Sequence, residues 1–199
     1  MDSSSSRKGV RMEQKQSSAV AIPQTKTGVQ ALWITVFALL TAIGAQIEIP
    51  HQPVPFTLQT LFVLLAGALL GKEKGAMSQL LYLALGAVGV PVFSQFGFGF
   101  ARLFGPTGGY LLSFPVAAFV VGYLIHQHKN FFWMLISMVV GLFIIFSLGT
   151  VQLYLVYFHN WRDAFVNGFL IFSWWDVVKL SAAASIYHQI MKRGLLNRQ

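Results

Sequence analysis

FFWMLISMVVGLFIIFSLGTVQLYLVYF, residues 131–158, contains no Asp, Glu, Lys or Arg. A helix that crosses a bilayer needs about 20 mainly apolar residues, since each advances it by only about 1.5 Å. The stretch exceeds that length. It also lacks the polar/apolar alternation of a membrane strand. Hydrocarbon satisfies no backbone donor or acceptor, so such a run must close its hydrogen bonds within itself as an α-helix. The chain reads as an all-α membrane protein.

Working outward, five more apolar stretches flank this one. They cover about 29–47, 56–70, 76–93, 109–125 and 164–190. The second is short and follows Pro50, Pro53 and Pro55, which forbid regular helix. Pro115 marks an expected kink in the fourth. The sixth is interrupted by Asp176 and Lys179. Composition agrees with a chain in lipid. Hydrophobic residues make up 55% and charged residues 10%, against about 25% charged in soluble domains. A water-soluble globule and a disordered chain are excluded. With no Cys in the chain, disulfides, thiolate metal sites and thiol nucleophiles are excluded too.

The 14 Lys and Arg outnumber the 6 Asp and Glu, for a formal charge of +8. In a soluble protein that excess points to nucleic acid. In a membrane protein it marks the cytoplasmic side. With six spans and the N-terminus inside, the inner segments are the tail, 71–75, 126–130 and the C-terminus. They hold Arg7, Lys8, Arg11, Lys15 and Lys26, then Lys72 and Lys74, then Lys129, and last Lys192, Arg193 and Arg198. Only Arg102 and Arg162 fall outside, and Lys179 lies within a span. This asymmetry predicts a six-transmembrane-helix bundle with both termini cytoplasmic, and it requires no nucleic-acid partner. Residues 1–27 form a polar basic tail, expected to be disordered, with no hydrophobic run of a secretory signal. Residues 28–191 are expected to form the six-helix transmembrane domain, and 192–199 a basic cytoplasmic C-terminus.

The inner turns are short, but two outer connections are elaborate: EIPHQPVPFTLQT (48–60) and SQFGFGFARLFGPTGGY (94–110). Glycine permits close backbone approach, and the second connection interleaves it with Phe96, Phe98 and Phe100. That pattern predicts a mobile flap with an apolar payload, closing over a site that faces outward.

PVPFTLQTLFVLLAGALLG (53–71), YLALGAVGVPVF (82–93) and LFGPTGGYLLSF (103–114), in that order, closely resemble the BioY family. TAIGAQI (41–47) fits that family's first helix. The family comprises biotin-binding S components of energy-coupling-factor vitamin transporters. The resemblance implies biotin as the transported ligand, no cofactor, and three partners: a membrane coupling subunit and two ATP-binding-cassette ATPases. It implies a multi-pass protein of a bacterial plasma membrane. It also implies a functional Asp-x-x-Lys pair on the last helix, here Asp176 and Lys179, although the family's Pro and Gly before the pair are absent from Ile171–Trp175. In the family the first helix contacts the coupling subunit. Ala38 and Ala42, four apart, permit such an approach, or equally close packing within the bundle.

Asp176 and Lys179 share one helix face, and ionisable residues within a span are costly enough to be functional candidates. Asp176 can accept N–H bonds from the biotin ureido ring. The biotin carboxylate falls to Lys179 or to Arg102, the latter in bidentate fashion. Trp174, Trp175 and the loop phenylalanines can cover the apolar rings. Gln59 either lines the site or caps the second span, and Thr107 and Tyr110 either touch ligand or pack the loop. On a helix unbroken from Ala164, Asp176 lies about 18 Å down, near mid-membrane.

His126 and His128 read as solvated, and no histidine spacing suits a metal. Gly67–Lys72 is one residue too short for a P-loop and lacks its Ser or Thr, so any ATP hydrolysis belongs to partners. Two alternatives stand beside biotin capture. One is an S component for another small vitamin. The other is an intramembrane enzyme with Asp176 as acid/base, weakened by the lack of a second catalytic group. The chain is therefore expected not to be an enzyme.

Overall fold

The computed structural model describes residues 27–127, 130–170 and 173–192. Residues 1–26 of the expected tail (1–27), Lys129, His128 and most of the C-terminal segment (193–199) lie outside them. So does the side chain of Trp174.

The chain begins with α1 (Thr27–Gln46), then a two-residue antiparallel ladder of β1 (Glu48–Ile49) and β2 (Phe56–Thr57). Helices α2 (Gln59–Leu70) and α3 (Lys72–Ala87) follow, and a short 3-10 turn (Ser94–Phe96) leads to the one-turn α4 (Ala101–Phe104). The remaining helices are α5 (Gly108–Gln127), α6 (Phe131–Leu153) with a π-turn at Tyr154–Phe158, α7 (Trp161–Gly168) and α8 (Ser173–Lys192). Among the described residues, three helical stretches are long and apolar enough to cross a membrane: Thr27–Gln46, Gly108–Gln127 and Phe131–Phe158. Helix α2 is apolar but shorter.

Local chemistry sets the breaks. Gly71 joins α2 to α3 with φ 80°, a left-handed conformation that glycine adopts without a Cβ penalty. Asn130 and Asn160 begin α6 and α7, their side chains accepting from the amides of Trp133 and Arg162. Helix α5 continues through Pro115 without a break in the helix.

Helix α5 packs against α2, α3 and α6, and α1 against α2 and α3. Helix α8 closes the bundle against α2 and α6. Small residues allow the approach. A Cβ at Gly67 of α2 would collide with the carbonyl of Ala118 on α5. Ala38 is 1% exposed and belongs to this core, while Ala42 is half-buried against it. The four-residue spacing on α1 thus serves packing within the bundle.

Two sequence expectations change. A β ladder orders the proline-rich connection, where Leu58 also donates to the carbonyls of Gly44 and Ile47 at 3.0 and 3.2 Å. The sixth run is two helices instead of one. The carbonyl of Gly168 accepts the Tyr110 hydroxyl at 2.8 Å, and α7 ends there. Because α8 starts only at Ser173, Asp176 lies in its first turn. The unbroken helix from Ala164 on which that depth was reckoned is therefore not formed, and Asp176 sits at the end of the bundle that carries the long loops.

Candidate functional site

A cavity opens at that end, with about 490 Å³ of atom-free space counted out to its mouth. Its wall draws on the proline-rich connection (Val54, Pro55, Thr57), the start of α2 (Gln59, Thr60) and the loop residues Ser94 and Thr107. Tyr110 and Phe114 of α5, Phe146 of α6 and Lys179 of α8 complete most of the remainder. Most of the lining surface is apolar, although about half of the lining residues carry a polar group.

Asp176 and Lys179 are 2% and 4% exposed. Lys179 Nζ lies 2.5 Å from Asp176 Oδ1 and donates to the Thr57 carbonyl at 3.0 Å. The Thr60 hydroxyl donates to the same carboxylate oxygen at 3.2 Å. The other oxygen, Asp176 Oδ2, is buried and has no hydrogen-bond partner among the described residues. A buried charge needs pairing, and an unpaired buried carboxylate oxygen costs free energy. The packing of α8 on α2 thus leaves one strong acceptor unused beside the cavity.

A second polar chain starts at Thr57. Its hydroxyl donates to Gln59 Oε1 at 2.8 Å, and Gln59 Nε2 donates to the Tyr82 hydroxyl at 2.6 Å. Tyr82, fully buried on α3, passes its own proton to the Val92 carbonyl at 3.2 Å. Each donor in this chain has one acceptor, which fixes the Gln59 amide. It ties the first outer connection to α3 and to Val92, just before the second connection begins. Across the cavity, the Tyr110 ring lies over Gly149, where any Cβ would overlap it.

The expected site residues divide. Gln59, Tyr110 and Lys179 line the cavity, and Asp176 is bonded to Lys179. Gln59 makes no helix cap; Leu58 occupies that position. Asp176 itself stands behind Thr60 and Lys179 and is not in the wall, and the half-buried Arg102 and Trp175 also lie outside it. A Cβ on Gly97 would lie 2.8 Å from Arg102 Nε, which places the guanidinium against the loop. Phe96, Phe98 and Phe100 are exposed and do not line the cavity, contrary to an apolar cover in this conformation. Thr57, Thr60, Tyr82 and Ser94 escaped the sequence reading. The threonines carried a signal, as polar residues inside the quoted PFTLQT motif; Tyr82 carried none beyond a lone hydroxyl in an apolar run.

Residues 14–195 match the sequence profile of the BioY family. A Thermotoga maritima protein named "Biotin transporter BioY" is 46% identical over 157 residues, covering 79% of this chain and 92% of that protein. A Rhizobium etli protein of the same name is 34% identical over 167 residues, covering 77% and 88%. Among solved structures, the S-component for biotin from an ECF-type ABC transporter superposes with a TM-score of 0.78. That match covers 86% of this chain and 95% of that one. At 24% identity, that likeness is one of fold. With nearly the whole chain inside the family profile and two such relatives, the chain belongs to the BioY family.

Proposed function

We propose that this chain is the biotin-capturing membrane subunit of a vitamin uptake transporter. The observation that carries the reading is the unpartnered Asp176 Oδ2 beside a mainly apolar cavity, in a family whose relatives are named for biotin transport. The relatives bear transporter names and not those of enzymes, and Asp176 is already committed to Lys179 and Thr60.

Biotin joins a ureido ring with two N–H donors to an apolar thioether ring and a carboxylate tail. Asp176 Oδ2 accepts a ureido N–H. Lys179 is bonded to the same carboxylate, so both groups serve one end of the ligand. Lys179 then faces the ureido carbonyl, and the distant carboxylate falls to Arg102 at the loop. Tyr110, Phe114 and Phe146 cover the thioether ring.

The remaining organisation belongs to this proposal. Six helices span the plasma membrane with both termini cytoplasmic, and the cavity faces outward. Energy comes from a coupling subunit and two ATP-binding-cassette ATPases. The asymmetric basic residues support the orientation, and the long loops at the cavity mouth support outward capture. Because the native chain has no Cys, a single Cys at Glu73 reports topology cleanly: labelling only from outside the cell contradicts the orientation. Labelled biotin added to the purified chain tests the ligand. Saturable binding supports capture, and its absence contradicts it. Biotin amide separates the two carboxylate assignments, since Arg102→Ala should leave its affinity unchanged while weakening biotin.

A further inference from the structure

The loop after α3 makes a turn that its own sequence does not favour. Gln95 and Phe96 both adopt left-handed backbone, with φ 57° and 52°. Neither is glycine, and two such residues in succession persist only where their surroundings hold them. Within the turn, Phe93 donates to Gly97 and Gly97 to Ser94, each at 3.0 Å. The Phe96 side chain is 67% exposed, so burial of that ring does not anchor it.

The external hold comes from the last residue of α1. Gln46 Nε2 donates to the Phe93 carbonyl at 3.0 Å, and Gln46 Oε1 accepts from the Phe96 amide at 3.1 Å. One side-chain amide thus takes both ends of the turn. Only Asn and Gln carry a neutral donor and acceptor at this spacing. The turn in turn places Ser94 in the cavity wall and Gly97 against the Arg102 guanidinium. Gln46 itself is not in the wall.

We infer that Gln46 is a positioning residue for ligand capture: its amide clamps the 93–97 turn and so sets the cavity wall and the rim arginine. The inference deepens the proposed biotin site and rests on it for its effect on ligand.

The experiment compares the full chain in lipid nanodiscs with Gln46→Met, which keeps size and removes both bonds, and with Gln46→Glu, which keeps the acceptor. Amide hydrogen exchange is measured without ligand, and biotin dissociation separately. In Gln46→Met, exchange over 93–97 should rise about tenfold and biotin dissociation should quicken by about tenfold, with association nearly unchanged. Gln46→Glu should fall between, protecting Phe96 and not the Phe93 end. Unchanged exchange in Gln46→Met overturns the clamp. Faster exchange with unchanged biotin dissociation overturns its role in capture. Exchange raised evenly along α1 to α3, with a lower unfolding midpoint, also overturns it by making Gln46 a general packing residue. Should the unaltered chain bind no biotin, the proposed function fails, and exchange over 93–97 still decides the clamp.

Discussion

Two of the polar clusters that the bundle buries differ in one respect. Between α1 and α3, the Thr41 hydroxyl lies 3.3 Å from both ends of the Gln79 amide and donates to the Phe37 carbonyl at 2.9 Å. Gln79 Nε2 also donates to Ser78, whose hydroxyl donates to Gly75 at 2.7 Å. Each side-chain nitrogen and oxygen of that cluster lies within hydrogen-bond distance of a neighbour. Between α2 and α8, the Asp176–Lys179–Thr60 cluster is equally buried, yet leaves Asp176 Oδ2 without one among the described residues. It also abuts a cavity. Burial of polar groups alone therefore does not mark a site. The first cluster is closed on itself and fixes how two helices meet. The second is held ready for something that donates a hydrogen bond.

The largest effect should come from opening the second cluster. Asp176→Ala strands a buried ammonium, which costs about 3–5 kcal/mol of stability. Biotin affinity should fall roughly 10- to 150-fold from the lost charged hydrogen bond, about 1.5–3 kcal/mol. Thermal unfolding and equilibrium binding check the two numbers. Pairing the change as Asp176→Leu with Lys179→Met should recover much of the stability and none of the binding. Recovery of binding would show that the charges serve only each other.

Next in size is a test of the packing around the closed cluster. Ala38→Trp forces a large ring into filled space beside Phe37 and Thr41. Overpacking of this kind costs about 1–3 kcal/mol, read as a lower unfolding midpoint. An unperturbed midpoint would mean that Ala38 faces outward, free to meet another subunit.

These residues also show what was legible beforehand. The apolar runs announced the helices, and PFTLQT with GPTGGY announced both wall-forming connections. Asp176 and Lys179 stood out because ionisable residues in hydrocarbon are expensive. The break between α7 and α8 was not legible. The apolar run continues through 168–171, and the carbonyl at the end of α7 is taken by Tyr110, 58 positions away in sequence. Tyr82 was hidden for a related reason: its hydroxyl meets Gln59 only once α3 lies beside α2. Ala38 and Ala42 left two readings open, because close spacing of small residues says that a helix approaches without saying which.

Tyr110→Phe sharpens the comparison at lower cost. It removes the bond to Gly168 and keeps the ring over Gly149. A neutral hydrogen bond contributes about 0.5–1.5 kcal/mol, so biotin affinity should drop by a few fold, with faster exchange at the end of α7. A loss as large as that of Asp176→Ala would move the centre of the site to α5.

The smallest effect belongs to the closed cluster. Thr41→Val with Gln79→Leu replaces both partners by apolar groups of similar shape, which is often near neutral. Stability should shift by about 1 kcal/mol or less, and biotin binding should stay unchanged. Weakened binding would couple this cluster to the cavity.

The central claim is that the open cluster, and not buried polarity in general, takes the ligand. A calorimetric titration of biotin into the purified chain, Asp176→Asn and the Thr41→Val/Gln79→Leu pair tests it directly. The unaltered chain and the pair should bind alike, while Asp176→Asn, which keeps shape and one acceptor, should bind more weakly than either. Equal binding by folded Asp176→Asn and Asp176→Ala proteins and the unaltered chain would contradict the assignment.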